Sequence, residues 1–313
     1  MKPVISLIRT YPAVVIVCAL AVGFSLLSPY FASAGNIEAM LGANAVVLIA
    51  AVGMTVVFLA GGIDLSISTV ISASAVMSGL VMGATGSVAL GAVTGVAAGL
   101  VFGALNGILI GYFQLTPFIT TMATQLIARG IAFVLSAGIA VKGTPYWMLD
   151  FGFMVWFGIP ALTVVALIVV AVALVAMART TWGRHVMLVG SNAEAARFSG
   201  INVSFVTFSV YLFSGAMGGI AGFISIANLG NAIPGVGDTL LLIIIGTVVL
   251  GGTGMAGGEG SVGRTVLGVA ILAILTNGLN LIGIPFYDQL MIQGVLIFVG
   301  TWMAMRFGKR SEA

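Results

Sequence analysis

Residues 65–128 read LSISTVISASAVMSGLVMGATGSVALGAVTGVAAGLVFGALNGILIGYFQLTPFITTMATQLIA and carry no charged side chain. A helix crosses the hydrocarbon core of a bilayer with about 20 apolar residues, so this stretch is long enough for about three crossings. In lipid, every backbone N–H and C=O group needs a partner within the protein, and a helix supplies one inside the segment itself. The stretch therefore predicts an all-α integral membrane protein.

The rest of the chain has the same character. Its 313 residues are 60% hydrophobic and 6% charged, and the mean hydropathy of +1.24 is far from that of a soluble domain. Polar breaks predict ten transmembrane segments in a single transmembrane domain over residues 1–313, and glycine at some breaks predicts broken or re-entrant helices. The segments lie at about 11–28, 41–60, 65–83, 88–111, 118–137, 158–178, 204–227, 239–252, 264–283 and 286–305.

The distribution of charged residues orients these segments. An even number of spans puts both termini on one side, and cytoplasmic loops carry an excess of Lys and Arg. With cytoplasmic termini, the basic residues on the inner side are Lys2, Arg9, Arg179, Arg184, Arg197, Arg264, Arg306, Lys309 and Arg310. The outer side then holds Lys142 together with Glu38, Asp150, Asp238 and Asp288. We therefore expect both termini in the cytoplasm.

The 44 glycines are concentrated inside apolar stretches, for example at residues 91–95 (GAVTG) and 215–219 (GAMGG). Small residues let the backbones of neighbouring membrane helices approach closely. We interpret these glycines as positions of close helix packing.

A break occurs at residues 61–66, which read GGIDLS between two apolar segments. A continuous span needs no such glycine pair, so the break predicts a discontinuous or re-entrant helix. Asp64 is well suited to be the N-cap of the following helix, because it accepts from amide groups that have no water to bind. A direct role in gating or in a pathway through the membrane is the alternative.

Polar side chains within the apolar segments are candidates for the lining of such a pathway. Gln125 and Arg129 share one helical face, and an intramembrane arginine normally faces the bundle interior or a polar cavity. Pairing of Arg129 with a polar helix neighbour, and hydrogen bonds between helices, explain such residues equally well. Uncharged polar groups suit a neutral polyol. The candidates are Asp64, Asn106, Thr120, Gln125, Arg129, Asn277 and Asn280.

Familiar patterns for catalysis, metal binding and ATP binding are missing. His185 is the single histidine, which leaves no histidine cluster for a metal and no histidine for a catalytic dyad within the membrane. The phosphate-binding pattern GxxxxGK[ST] fails, because Pro, Gly and Arg follow Lys2, Lys142 and Lys309. We therefore expect no enzyme, no catalytic residue, no metal site and no cofactor bound by this chain.

A charged island, residues 183–201, lies within a loop at about 179–203 between two long apolar segments. Asn192 is placed to cap a short helix through Phe198, and Gly200 follows at a suitable C-terminal position. Glu194 and Arg197 lie three residues apart, so they either pair with each other or face a partner. The island is therefore a solvated loop or a docking surface for a soluble protein.

Four motifs are spread over most of the chain. They are residues 61–66 (GGIDLS), residues 116–121 (TPFITT) through 128–130 (ARG), the charged island, and residues 249–253 (VLGGT) through 257–263 (GGEGSVG) to 277–280 (NGLN). In this order and spacing they resemble the permease subunits of ribose-type ABC sugar importers, which include ribose, galactose, xylose and autoinducer-2 uptake systems. Departures at Ile67-Ser68, Ser191 and Asp238-Thr239-Leu240 leave the particular sugar open.

The resemblance implies a pore subunit of an ATP-driven importer for a monosaccharide or related small polyol, in the bacterial inner membrane. Implied partners are cytoplasmic ABC ATPase subunits that use ATP and Mg, a periplasmic sugar-binding protein, and a second permease, either another copy or a paralogue. Membrane lipid surrounds the chain, and no nucleic acid is involved. The resemblance also implies a coupling helix to the ATPase, made of Asn192, Ala193, Glu194, Ala195, Ala196, Arg197, Phe198, Ser199 and Gly200.

A proton-coupled secondary transporter of a small polar solute is the main alternative, since such proteins also contain broken helices and internal repeats. It needs a titratable relay inside the membrane, for which Asp64 and Arg129 are the obvious candidates. A membrane-embedded enzyme is the third class, and it lacks a histidine or carboxylate cluster within the spans.

Overall fold

A computed structural model describes residues 12–308, with side chains described between residues 13 and 300. Of the basic residues that orient the sequence, Lys2, Arg9, Lys309 and Arg310 lie outside the described residues, and Arg306 is described by its backbone alone. The first helices are α1 (Pro12–Leu27), α2 (Ala34–Ala43), α3 (Ala45–Leu59), α4 (Ile67–Thr85), α5 (Val88–Gly111), α6 (Pro117–Ser136) and α7 (Tyr146–Phe153). After the strands β1 (Val155–Trp156) and β2 (Ile159–Pro160) follow α8 (Ala161–Arg179), α9 (Thr181–Ser191), α10 (Ala193–Phe198), α11 (Val203–Leu229), α12 (Leu240–Leu250), α13 (Val262–Leu281) and α14 (Phe286–Gly308).

Six helices in the described part of the chain are long and apolar enough to cross a membrane, namely α4, α5, α6, α8, α11 and α13. The pair α2 and α3, bent by 44° at the break between them, counts as a seventh when taken as one span. Three shorter apolar helices are α1, α12 and α14. The all-helical, multi-span class is thereby confirmed, while a count of ten needs the bent pair and all three shorter helices to cross as well.

Three local features differ from the sequence-based prediction. The second predicted segment, 41–60, is the later part of a bent pair that begins with α2. The loop at about 138–157 contains α7 and runs into the small antiparallel hairpin of β1 and β2. The charged island contains two helices, α9 and α10, rather than one. Hydropathy missed these elements because short helices outside the apolar segments leave no long hydrophobic signal.

Close packing of α5 on α11 forms the centre of the bundle. Glycines recur every fourth residue along α5, and from Gly99 to Gly111 they meet the backbone of α11 directly. A Cβ atom at Gly103 would lie 2.5 Å from the carbonyl oxygen of Tyr211, and one at Gly107 would lie 2.7 Å from that of Phe208. A side chain therefore cannot be accommodated, and the interpretation of these glycines as helix-packing positions is confirmed.

Burial differs sharply between α3 and α6. Every residue of α3 is buried, and α3 packs against helices from both halves of the chain. In α6 the buried residues form a single stripe, which consists of Thr120, Thr121, Thr124, Ala128, Ala132 and Ser136. Most other residues of α6 are exposed within the described part of the chain, so they are open to lipid, water or another protein.

Candidate functional site

A buried carboxylate lies at the break between α3 and α4. Oδ1 of Asp64 accepts hydrogen bonds from the backbone N–H of Ser66 at 3.0 Å and from its hydroxyl at 2.6 Å. Oδ2 accepts from the hydroxyl of Ser214, on α11, at 2.6 Å. Asp64 is only 1% exposed. Since a buried charge is tolerated only with strong partners, these three donors hold the carboxylate in place.

The hydrogen bonds continue from Asp64 across the bundle. The Asn106 amide, on α5, donates to the Ser66 hydroxyl at 2.8 Å, and the Thr124 hydroxyl, on α6, donates to the Asn106 carbonyl at 2.6 Å. All of these side chains are buried. The chain of donors runs from Thr124 through Asn106 and Ser66 to Asp64, so it joins α5 and α6 to the break, and the bond from Ser214 adds α11.

Two further bonds fix the backbone of the break itself. The N–H of Leu65 donates to the hydroxyl of Thr121 at 3.1 Å, and the hydroxyl of Tyr211 donates to the carbonyl of Ile63 at 3.1 Å. We call the set Asp64, Ser66, Asn106, Thr121, Thr124, Tyr211 and Ser214 the polar network. The sequence named only Asp64 and Asn106 of this network as candidates. It missed Ser66, Thr121, Thr124, Tyr211 and Ser214, because a hydroxyl group in or beside an apolar helix carries no signal of its distant partner.

The detailed role of Asp64 differs from a simple N-cap. The N-cap residue of α4 is Ser66, and its side chain makes no capping bond. Asp64 instead accepts from the amide two residues later, which is the geometry of an Asx turn. The carboxylate thus shapes the break before α4 and also reaches across to α11.

A charged pair lies beside α6. A guanidinium nitrogen of Arg129 is 2.9 Å from a carboxylate oxygen of Asp238, and their side chains are 53% and 24% exposed. The guanidinium also lies over the ring of Phe133, 5.8 Å from its centroid. The sequence placed Asp238 in an outer loop, but the structure places it beside the middle of α6. The partner of Arg129 is therefore a non-helical segment rather than a helix neighbour.

That segment, residues 230–239 between α11 and α12, enters the bundle. Ala232 pairs with Val141 by backbone hydrogen bonds of 2.8 and 3.2 Å, close to Gly79 in α4. Further along, the N–H of Gly237 donates to the hydroxyl of Ser72 at 2.9 Å. The segment therefore follows α4 from Gly79 back to Ser72, which is about 10 Å at the helical rise. We call it the re-entrant segment, and it explains why α12 is short.

The charged island ends in a capped helix. Oδ1 of Asn192 accepts from the N–H of Ala195 at 2.9 Å, and Gly200 adopts a φ of 83°, both as the sequence predicts. Glu194, Arg197 and Phe198 are exposed, and Phe198 is 86% exposed. Among the described residues the ion pair is Arg129 with Asp238, so Glu194 and Arg197 do not pair with each other.

A glycine junction connects the island to the break. The N–H of Gly258 donates to the carbonyl of Leu59, the last residue of α3, at 3.0 Å. A Cβ atom at Gly257 would lie 2.6 Å from the carbonyl oxygen of Gly190 and 2.8 Å from Cα of Gly61. The end of α9, the end of α3 and residues 251–263 therefore touch through backbone atoms, a few residues before Asp64.

The remaining pathway candidates lie elsewhere. Asn277 exchanges two amide hydrogen bonds of 2.9 Å with Asn36, and Asn280 accepts from Gln289 at 2.7 Å. The Thr120 hydroxyl donates to the Thr116 carbonyl at 3.0 Å, within its own helix. Gln125 is half-buried and one turn from Arg129. The seven candidates thus fall into separate groups rather than a single site.

These features define a class of protein. A glycine-packed bundle of at least six apolar helices, with a polar network at a broken span and a re-entrant segment, is typical of a membrane transport protein. The chain belongs to the family described as the permease component of the branched-chain amino acid transport system, which matches residues 36–300. It is a multi-pass protein of the bacterial inner membrane.

Similar proteins of known function support the same class. The chain is 37% identical to the ribose import permease protein RbsC of Bacillus subtilis, over 88% of this chain and 87% of the relative. It is 32% identical to the L-arabinose transport system permease protein AraH of Escherichia coli, over 93% and 89%. The D-allose transport system permease protein AlsC of Escherichia coli is 33% identical, over 89% and 86%. No solved structure matches the chain. The resemblance to ribose-type permeases is confirmed.

Proposed function

We propose that this chain is the pore subunit of an ATP-driven importer for a monosaccharide or related small polyol. The observation that carries the proposal is the similarity to ribose, arabinose and allose permeases over most of the chain. The family description names amino acids, but these relatives are sugar permeases, so a sugar is favoured. The relatives are transport proteins rather than enzymes, and we assign ATP and Mg to a partner ATPase.

A proton-coupled transporter is not favoured. The relatives are components of import systems named for their sugars, and this supports the ABC class. The carboxylate of Asp64 is enclosed by hydroxyl and amide donors rather than placed in a chain of titratable groups. Without a relay of such groups, a proton has no route along the described spans.

The membrane topology that we propose is ten spans in one permease domain over residues 1–313, with both termini in the cytoplasm. It counts the bent pair as one span and adds α1, α12 and α14 to the six long helices. The excess of basic residues on one side supports this orientation. The loop at 179–203 then lies in the cytoplasm, where it meets an ATPase.

Cysteine labelling tests this topology. In a Cys18→Ser background, we expect Asp150→Cys to react with a membrane-impermeant thiol reagent added from the periplasmic side. Glu194→Cys should react only after the inner membrane is permeabilised. Both residues are exposed, so burial within the chain does not limit either reaction. Labelling of Glu194→Cys in intact spheroplasts would contradict the orientation.

We further propose that Asn192 to Gly200 is the coupling helix. The helix is capped at both ends, it projects Glu194, Arg197 and Phe198 outward, and these side chains have no partner within the described chain. ATP-driven closure of two ATPase chains would push on α10. The glycine junction lies between α9 and the break, so the movement would reach the polar network there. The helix bundle would then open to the other side of the membrane.

Charge reversal tests the coupling helix. Glu194→Lys combined with Arg197→Glu should reduce co-purification of the ATPase from native membranes and uncouple its vanadate-sensitive activity from sugar uptake. Membrane insertion should be normal, because both side chains are exposed. Asp150→Lys, an exposed charge reversal on the proposed opposite side, is the matched control. Wild-type coupling in the double variant would exclude this role for α10.

The remaining partners follow from the proposed importer class. A periplasmic sugar-binding protein delivers the substrate, and a second permease, identical or paralogous, completes the pore. Asp64, Asn106, Thr120, Gln125, Arg129, Asn277 and Asn280 remain candidates for the pathway. We divide them by burial, since Asp64 and Asn106 are 1% exposed and belong to the polar network that holds the helices together. Gln125 and Arg129 reach an open face instead.

A further inference from the structure

One face of α6 carries polar groups that the bundle does not cover. Phe118, Met122, Gln125, Arg129 and Phe133 recur at intervals of three and four residues, so they form one stripe along the helix. Four of them are exposed, and Gln125 is half-buried. The stripe flanks the buried face of α6. The re-entrant segment lies against the C-terminal half of the stripe, where Gly235 is close to Phe133.

This face cannot lie against lipid. Arg129 is the thirteenth residue of the 20-residue helix α6. It is therefore about 18 Å from the start of the helix, in a bilayer whose hydrocarbon core is about 30 Å thick. Charged side chains at such depth face the bundle interior or a water-filled cavity. Arg129 is 53% exposed and Asp238 is 24% exposed, and we take the open side of this pair as the wall of an aqueous path.

The chemistry of this wall is specific. Arg129 has five N–H donors, and the structure uses one guanidinium nitrogen on Asp238. Oδ1 of Asp238 is enclosed by the protein and makes no hydrogen bond, but 24% of the Asp238 side chain is exposed, so a ligand reaches the carboxylate from its open side. Gln125 makes no hydrogen bond within the described residues. Phe133 adds an apolar ring, 37% exposed, beside the guanidinium. The wall therefore offers donors, acceptors and an apolar ring together, with no net charge.

A neutral polyhydroxylated ligand matches this set. Each hydroxyl group both donates and accepts, so it satisfies Asp238 and Arg129 at once, while the C–H face of a sugar ring packs on an aromatic side chain. An anionic or cationic ligand gains no net attraction, because the two charges cancel. We propose that Gln125, Arg129 and Asp238, with Phe133, form a low-affinity binding site for a neutral monosaccharide midway across the membrane. This assignment rests on the proposed function and names the side chains that contact the substrate.

Gly235 fits this arrangement. Its φ of 81° lies in the left-handed region, which favours glycine. A Cβ atom there would lie 3.1 Å from Oδ2 of Asp238 and 3.3 Å from the ring of Phe133. Glycine therefore lets the re-entrant segment turn tightly and bring its carboxylate against α6.

Cysteine accessibility with sugar protection tests the site. Met122→Cys, in the full chain with Cys18→Ser, keeps the four proposed side chains and lies one turn before Gln125. Ala123→Cys is the matched control, one residue further along the helix and also exposed, but on a different face of α6. In right-side-out and inside-out vesicles we expect a charged, membrane-impermeant methanethiosulfonate to modify residue 122 about ten-fold faster than residue 123, since reaction needs the thiolate.

The probes for protection are D-ribose, L-arabinose and D-allose, each at concentrations up to the osmotic limit of the vesicles. At least one should slow modification of Met122→Cys, and adding Asp238→Asn should weaken that protection about ten-fold. Protection is measured as the ratio of the rates without and with sugar, so a change in the unprotected rate does not affect it. No modification of residue 122, no protection by any of the three sugars, or protection unaffected by Asp238→Asn would overturn the site. Co-purification of an ATPase with the wild-type chain is measured in a separate experiment, and it tests the proposed importer function. The protection experiment tests the binding site alone, so the two proposals can fail independently.

Discussion

Replacing Asp64 by alanine is expected to destabilise the protein and abolish uptake. The change leaves the hydroxyls of Ser66 and Ser214 without their acceptor in a buried position, where an unpaired donor costs about 1–3 kcal/mol each. We expect a loss of about 3 kcal/mol in the free energy of unfolding after partial rearrangement. The measurement is the thermal midpoint of the purified chain in detergent, together with sugar uptake in cells.

Two further variants distinguish the effect of disrupting the polar network from the effect of losing any carboxylate. Asp64→Asn keeps the volume and the acceptor oxygen for the amide of Ser66, so its midpoint should lie between those of the wild type and Asp64→Ala. Asp150→Ala removes an exposed carboxylate and should leave the midpoint unchanged. If Asp64→Ala unfolds at the wild-type temperature, the polar network does not stabilise the broken span.

Gly190→Ala is expected to uncouple ATP hydrolysis from transport. A Cβ atom at Gly190 would overlap the carbonyl oxygen of Leu59 and lie 2.8 Å from the amide nitrogen of Gly258. Since both are backbone atoms, α9 must move away from the end of α3, at a cost of about 1–3 kcal/mol. We expect ATPase activity that sugar no longer controls, with little uptake, measured in membranes containing the assembled transporter.

Whether Gly190→Ala is less stable or more stable than the wild type shows whether the contact at Gly190 constrains α9. Alanine is otherwise the better helix former by about 0.5–1 kcal/mol, so an unconstrained helical glycine would give a more stable variant. Gly254→Ala is the control. Gly254 lies in residues 251–263, the glycine-rich part of the junction, and no atom lies within 4 Å of its Cβ position. Normal coupling in Gly190→Ala would show that the glycine junction does not carry the movement.

Local signals account for most of what could be predicted. The uncharged stretch before Arg129 predicted helical spans, and Asn192 with Gly200 predicted α10, because hydropathy and capping depend on neighbouring residues. Asp238 was misplaced for the same reason. A segment of glycine and polar residues between two apolar runs looks like an external loop, and nothing local shows that it folds back against α4.

Local sequence signals were enough to predict an all-helical membrane protein, its family, the break before α4 and the capped helix α10. The contacts of Ser214 with Asp64, of Asp238 with Arg129 and of Gly190 with Leu59 and Gly258 became visible only in the folded chain. The reason is physical. Hydrophobic length and caps are set within a few residues, whereas these contacts join residues far apart in the chain and exist only once the helices pack.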